Sequence, residues 1–138
     1  MSVLVDTPLW SLAYRRKQGR LNPEESDATA VLAKLISGKR ARIIGPIRQE
    51  ILSGIAEPHS FNRLRELLRA FDDEPLHMDD YEVAAQSANR CRSVGIATTS
   101  VDMLICAVAI RRKWTVYTTD RDFHRYSRAL TFEVFQNL

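Results

Sequence analysis

The sequence predicts an α/β domain with three layers, in which a central parallel sheet of four to five strands lies between helices. Short apolar runs of strand length alternate along the 138-residue chain with longer segments of helical periodicity. Alternation of this kind is typical of a parallel sheet that helices cover on both faces. With no linker-like segment and no internal repeat, we expect a single domain over residues 1–138.

The first half of the chain contains two predicted strands and four predicted helices. Pro23 and Glu25 follow Asn22 in the spacing of a capping box, which makes that helix start the clearest. The elements expected here are a strand at residues 3–5, a helix capped by Thr7 and reaching about Lys17, a helix from Asn22 to Gly38, a strand at residues 42–45, and helices over residues 46–56 and 61–71.

The second half contains the most apolar segment of the chain, residues 101–111, which predicts a helix buried against the sheet. The other elements expected here are a strand at residues 74–78, a helix that begins at Asp79 with Glu82 as its capping-box partner, a strand at residues 114–118, a short helix over residues 120–126 and a strand at residues 132–135. Each new strand follows a helix, as the parallel sheet requires.

Composition excludes some classes of protein and leaves others open. The longest apolar run, residues 103–110, is too short to span a membrane, and the apolar start at Val3 reads as a strand rather than a signal peptide. Cys91 and Cys106 lack metal-ligand spacing and are expected to be buried, reduced thiols of a cytoplasmic protein. The net charge of +3 suits a polyanionic partner, although solvated helix faces would look the same.

Two acidic residues follow predicted strands directly. Asp6 comes after the first strand, and Asp120 comes after the strand at residues 114–118. Ligands of open parallel sheets gather at the carboxyl ends of strands, so both acids are candidates for a site there. Each also has an ordinary alternative, because Asp6 could be a turn residue and Asp120 could cap the next helix.

Two further acids lie in the first turns of predicted helices. Asp102 begins the most apolar helix, where a carboxylate loses hydration unless a cation or hydrogen-bond donors compensate. Its alternative role is a first-turn acid favoured by the helix dipole, with Thr99 or Ser100 as the cap. Glu50 taken alone reads as a solvated or ion-paired surface acid.

Taken together, the acids predict a site for a divalent cation at one edge of the sheet. Carboxylates that converge there repel each other, and Mg²⁺, which prefers oxygen ligands and suits phosphoryl substrates, would relieve the repulsion. The sequence contains no glycine-rich nucleotide loop and no nucleophile elbow. The histidines show no paired zinc-ligand spacing.

Some polar residues near these acids are better explained by structural roles. His124 follows the acidic loop and could touch RNA, but we favour a place on the helix surface. The doublets Asp72-Asp73 and Asp79-Asp80 flank the predicted strand at residues 74–78, and we interpret both as structural, with Asp79 as a helix cap.

The acidic motifs resemble those of PIN-domain nucleases, specifically the VapC-type toxins of toxin–antitoxin pairs. Four segments carry the resemblance in family order: VLVDTPLW at residues 3–10, PIRQEILSG at 46–54, VDMLICA at 101–107 and TTDRDF at 118–123. Any one of them is a weak signal, whereas four in this order across nearly the whole chain make a specific one.

The resemblance implies an endoribonuclease that uses Mg²⁺, with Mn²⁺ as a substitute, to hydrolyse RNA. Its acidic set would be Asp6, Glu50, Asp102 and Asp120. Asp6, Asp102, Asp120 and Asp122 would be the metal ligands, and the hydroxyl of Thr118 or Thr119 would help to position the site. The implied partners are an RNA substrate, a cognate antitoxin protein and a second copy of the chain in a homodimer.

The chain departs from the family pattern where relatives often carry a Ser or an extra acid. Pro8 stands at the first of these positions, and Thr99 and Ser100 stand at the second, so the number of metal ions, one or two, stays open. The alternative function is a non-catalytic RNA- or protein-binding module on the same fold. A metal-dependent phosphatase ranks last because Pro8 replaces the second acid of its usual Asp-x-Asp pair.

Overall fold

The computed structural model describes residues 1–136, which contain one parallel five-stranded sheet in the order β3-β2-β1-β4-β5. Its strands are β1 (Val3–Val5), β2 (Ala41–Ile44), β3 (Asp73–Glu74), β4 (Thr115–Tyr117) and β5 (Glu133–Val134). The helices are α1 (Thr7–Tyr14), α2 (Pro23–Ser37), α3 (Gly45–Leu52), α4 (Pro58–Leu68), α5 (Met78–Ser93), α6 (Ser100–Arg112) and α7 (Asp122–Ala129), and a short 3₁₀ turn covers Gln18–Arg20.

The strand order places β1 at the centre of the sheet and reverses the direction of winding there. From β1 the chain moves outward to β2 and β3, and it then returns to add β4 and β5 on the other side of β1. Because parallel crossovers are right-handed, the helices of the two halves cover opposite faces. In agreement, α1 packs against α2 and α3, whereas α5 packs against α6 and α7. The predicted three-layer α/β architecture is confirmed.

The core lies on both faces of β1 and along α6. All three residues of β1 are fully buried, and so is the run Ile105–Val108 in α6, as the apolar sequence of that helix predicts. Cys91 and Cys106 are buried free thiols, also as predicted. Within residues 1–136, no helix combines the length and the apolar character needed to cross a membrane.

Helix α2 has the predicted start, but the cap of α1 is one residue earlier than expected. The side chain of Asn22 accepts a hydrogen bond from the N–H of Glu25, and Glu25 accepts one from the N–H of Asn22. At α1, Asp6 is the N-cap and accepts from the N–H of Thr7 at 2.8 Å. Thr7 as the cap is therefore wrong, and α1 ends at Tyr14 rather than near Lys17.

The predicted strand at residues 74–78 is wrong, since β3 contains only Asp73–Glu74 and α5 already begins at Met78. The carbonyl of Pro75 accepts a hydrogen bond from Arg112 instead of one from a neighbouring strand. Asp79 is not the helix cap, because His77 occupies that position and its N–H donates to the carboxylate of Asp80.

One member of each aspartate doublet has the structural role that we predicted. Asp80 is fully buried and accepts hydrogen bonds from Arg111 at 2.7 Å and Arg112 at 3.2 Å, which joins α5 to α6. Asp73 pairs with Arg48 of α3 at 2.9 Å. Arg48 also donates to the carbonyls of Leu68 and Phe71, so it holds α3 against the end of α4.

The remaining differences concern the ends of elements rather than their existence. Helices α3 and α4 each end earlier than the predicted ranges 46–56 and 61–71, and β5 is shorter than residues 132–135. Helix α7 begins at Asp122 with Arg121 as its N-cap residue, not at Asp120. Asp120 therefore belongs to the loop between β4 and α7.

Candidate functional site

A cleft of about 680 Å³ opens near the carboxyl ends of β1 and β4, where the direction of winding reverses. Open α/β sheets bind ligands at such a switch point. The lining residues are Asp6, Thr7, Pro8, Pro46, Gln49, Glu50, Ser53, Thr99, Ser100, Val101, Asp102, Asp120 and Asp122. All five acids that the sequence singles out therefore face one cleft, although they come from four separate segments.

Asp6 is only 4% exposed, which makes it the most buried of the five acids that line the cleft. Its Oδ1 accepts a hydrogen bond from the N–H of Thr7 at 2.8 Å. Its Oδ2 accepts one from the hydroxyl of Thr118 at 2.8 Å. Both carboxylate oxygens of Asp6 thus have donors from the chain itself.

Glu50 is exposed on α3 and reaches the site through Thr7. The hydroxyl of Thr7 donates to Oε1 of Glu50 at 2.6 Å. Since Thr7 follows Asp6 directly, this contact links the second acidic motif to the first. Glu50 is a solvent-exposed acid, as its sequence context taken alone predicts, and it also lines the cleft that contains the other acids.

The loop after β4 is organised by two hydrogen bonds in series. The hydroxyl of Thr118 accepts from the N–H of Asp120 at 2.9 Å, and Oδ1 of Asp120 accepts from the N–H of Asp122 at 2.9 Å. Thr118 is part-buried, whereas Thr119 is exposed. The hydroxyl of Thr118 therefore contacts two of the acids, and the positioning role of Thr118 or Thr119 stays a prediction.

Asp102 lies in the first turn of α6, with Thr99 as the N-cap residue that accepts from its N–H. Its Oδ2 accepts a hydrogen bond from the hydroxyl of Tyr126 at 2.7 Å. Sequence reasoning did not single out Tyr126 or the role of Thr7 toward Glu50. The one available signal for Tyr126 was its place four residues after Asp122, which puts both on one face of α7.

Three of the acids are close enough to hold one metal ion together. Asp102, Asp120 and Asp122 each offer a carboxylate oxygen, and these atoms lie within 4.8 Å of one another. A set made only of carboxylates fits a hard divalent cation such as Mg²⁺. Asp6 is outside this group, and the ligand roles of all four aspartates stay predictions. Thr99 and Ser100 line the same cleft without adding a charge.

The electrostatics of the cleft favour a bound cation. Burial raises the pKa of Asp6 to about 6, hydrogen bonds from Thr118 and Thr7 oppose the shift, and the charges of Asp102 and Glu50 add to it. Burial also raises the pKa of Asp102, with the bond from Tyr126 opposing the change and the charge of Asp120 adding to it. A cation would relieve both the lost hydration and the mutual repulsion.

His124 is not part of this site. It lines a different cleft together with Met1, Arg40 and Thr115, which lie at the opposite, amino ends of the strands. The side chain is exposed, so its place on the helix surface is confirmed. A position near the acidic loop in sequence therefore did not mean a position near the acids in space.

These observations define a class of protein, namely α/β domains with a cluster of carboxylates at the switch point of a parallel sheet. The sequence profile of the PIN domain family matches residues 3–129. The chain belongs to the PIN domain family, as its motifs indicate.

Solved structures with the same fold agree with this assignment, whereas a comparison with curated proteins gave no match. The chain is similar to one in the crystal structure of FitAcB from Neisseria gonorrhoeae, with 21% identity, a TM-score of 0.75 and coverage of 97% of this chain and 96% of that one. VapBC2 from Rickettsia felis, bound to a DNA fragment from its promoter, matches with 14% identity, a TM-score of 0.70 and coverage of 100% and 99%. A toxin–antitoxin complex from Klebsiella pneumoniae matches with 18% identity, a TM-score of 0.65 and coverage of 88% and 90%.

Proposed function

We propose that this chain is a Mg²⁺-dependent endoribonuclease that hydrolyses RNA phosphodiester bonds and acts as the toxin of a toxin–antitoxin pair. The observation that carries the proposal is the group formed by Asp102, Asp120 and Asp122, whose oxygens lie within 4.8 Å of one another beside the buried Asp6. Acidic groups are common on protein surfaces, but this one lies at the switch point of a PIN domain.

Some residues of the cleft would hold a cation, and others orient the acids. Asp102, Asp120 and Asp122 would hold Mg²⁺, with Mn²⁺ as a substitute. The ion would supply an activated water and offset the charge that develops on the leaving oxygen. Thr118 fixes the orientation of Asp6 at 2.8 Å, and Asp6 and Glu50 keep the neighbourhood negative.

The proposed partners follow from the relatives that share the fold. The similar structures include a toxin–antitoxin complex and VapBC2 bound to a fragment of promoter DNA, which supports a cognate antitoxin protein as a partner of this chain. An RNA substrate, a homodimer and a cytoplasmic location belong to the same proposal. The two buried, unpaired thiols are compatible with a reducing compartment.

The direct test is cleavage of single-stranded RNA by the purified protein with Mg²⁺, with EDTA, and with the Asp102→Asn variant. We expect EDTA to abolish cleavage and the variant to lose more than ~100-fold in rate, since losing even a partner of a ligand costs ~10–100-fold. Induction of the wild type in cells should arrest growth, and induction of the variant should not.

Asp79→Asn is the matched control for this experiment. Asp79 is also an aspartate near α6, but it contacts Arg111 close to the far end of that helix, roughly 14 Å along the axis from Asp102. The Asp79→Asn variant should cleave RNA at the rate of the wild type. Cleavage that survives both EDTA and Asp102→Asn would reject the metal-dependent mechanism at this site. Mg²⁺-independent RNA binding without any cleavage by the wild type would favour the alternative, a non-catalytic RNA- or protein-binding module.

A further inference from the structure

The three acids that could hold the metal come from two segments of the chain. A shared metal ion requires these segments to keep a fixed position relative to each other. Asp102 lies on α6, whereas Asp120 and Asp122 lie in the loop and first turn that lead into α7. A backbone hydrogen bond from Asp122 to Asp120 fixes the second pair internally. That bond does not determine where the pair lies relative to Asp102.

Tyr126 provides the connection between the two segments. Its hydroxyl donates to Oδ2 of Asp102 at 2.7 Å, which joins α7 directly to α6 at the acidic cleft. Tyr126 also lies four residues after Asp122, so that its side chain and the carboxylate share one face of α7. The bond therefore relates the carboxylate of Asp102 to the carboxylate of Asp122.

The ring of Tyr126 is buried and packed against another aromatic ring. Its side chain is 1% exposed, and it packs edge-on against Phe123 with the ring centroids 5.2 Å apart. Phe123 in turn contacts Phe132, at a centroid distance of 6.4 Å. A hydroxyl on a ring held in this way has little freedom to leave the carboxylate that it contacts.

We propose that Tyr126 is a positioning residue for the cation site, because its hydroxyl engages Oδ2 of Asp102 and so presents the other oxygen toward Asp120 and Asp122. This inference rests on the proposed function. Hydrogen bonds to the ligands of a metal commonly set their orientation, and their loss lowers metal affinity by ~10–100-fold. Tyr126 would thus act on the metal through Asp102 without touching it.

The competing explanation is that the hydroxyl only satisfies its own need for a partner in a buried place. Tyr117 separates the two explanations, because it is a second tyrosine with a hydrogen-bonded hydroxyl, on a side chain that is partly buried. Its hydroxyl donates to the backbone carbonyl of Ala28 on α2 at 3.0 Å, and it does not line the acidic cleft. Tyr117→Phe therefore removes a comparable hydroxyl without changing the contacts of any of the acids.

The experiment measures Mn²⁺ affinity from the electron paramagnetic resonance signal of the free ion, for the wild type, Tyr126→Phe and Tyr117→Phe. We expect the affinity of Tyr126→Phe to fall by at least ~10-fold, and that of Tyr117→Phe to stay within about twofold of the wild type. The rise in melting temperature on adding Mn²⁺ should shrink in parallel for Tyr126→Phe only. Cleavage by this variant should recover in part at saturating Mn²⁺.

Equal Mn²⁺ affinity for the wild type and Tyr126→Phe would overturn the positioning role while leaving the nuclease proposal intact. A lower melting temperature without a change in affinity would overturn it as well, because a purely structural hydroxyl gives that result. If the wild type itself bound no Mn²⁺, the cation site and the proposed function would fail together. The affinity of the wild type therefore distinguishes the two failures.

Discussion

At the scale of single residues, the hydroxyl of Thr118 joins the ends of the two central strands. It donates to Asp6 at 2.8 Å, after β1, and it accepts from the N–H of Asp120 at 2.9 Å, after β4. A valine of nearly the same shape would remove both contacts and leave a buried carboxylate with one donor fewer. A single hydroxyl of Thr118 thus contacts two of the acidic residues.

For Thr118→Val we expect RNA cleavage to fall by ~10–100-fold, as for other partners that orient ligands. Thr119→Val is the matched control, because Thr119 is the exposed neighbour, and it should retain nearly full activity. The RNA cleavage rates of the two variants are compared at saturating Mg²⁺. Equal losses, or a larger loss for Thr119→Val, would contradict the assignment of the hydroxyl.

At the scale of elements, α5 and α6 are joined by a buried ionic network. Asp80 of α5 is fully buried and accepts from Arg111, Arg112 and the N–H of His77. Burial alone would raise the pKa of Asp80, but these donors outweigh it, and the pKa is lowered. The carboxylate is therefore charged in the folded protein near neutral pH, and it pairs with both arginines.

We predict that Asp80→Ala lowers the free energy of unfolding by about 3 kcal/mol, because it removes the buried acceptor shared by Arg111, Arg112 and the N–H of His77. Urea-induced unfolding measures the change. Asp79→Ala is the control, since Asp79 is 68% exposed and touches Arg111 only at 3.4 Å. Equal stability of the two alanine variants would show that the buried network contributes no more than an exposed ion pair.

The elements that could be predicted from sequence are those whose signals are local. The start of α2 was predictable because Asn22, Pro23 and Glu25 are adjacent and satisfy each other. The two-residue strand β3 was not, because its length depends on an arginine from α6 that takes the carbonyl of Pro75. A contact between residues so far apart in sequence leaves no periodic pattern.

The same distinction applies to the candidate site. The positions of Asp6 and Asp120 after strands were enough to predict their convergence, since the ends of parallel strands meet at one edge. The bond from Tyr126 to Asp102 was not predictable, because the orientation of α7 relative to α6 decides it. The sequence favours Thr7 as a helix cap, whereas in the structure its hydroxyl contacts Glu50.

At the scale of the whole molecule, the buried Asp6 makes stability depend on pH in the metal-free protein. Its pKa in the folded chain is about 6, against ~3.9 for an unfolded aspartate. As the pH rises between these values, the unfolded chain loses its proton first, so the free energy of unfolding falls. The loss is complete above the folded pKa, and a shift of about two units corresponds to about 3 kcal/mol.

We therefore expect the stability of Asp6→Asn relative to the wild type to rise by about 3 kcal/mol as the pH increases from 4 to 7, because the amide does not ionise. Urea unfolding at several pH values, with EDTA present, gives the difference directly. Adding Mg²⁺ at pH 7 should stabilise the wild type more than the variant. A difference that stays constant across this range would mean that Asp6 ionises normally in the folded chain.

The central position of β1 has a consequence for how the molecule is made. β1 pairs on one side with β2, which follows early in the chain, and on the other with β4, which is synthesised much later. Until the ribosome has delivered β4, an apolar strand that is fully buried in the finished protein has an open edge. During that interval Asp6 has emerged, but Asp120 and Asp122 have not. A nascent or truncated chain therefore cannot assemble the acidic site, and any nuclease activity would begin only once nearly the entire fold is complete.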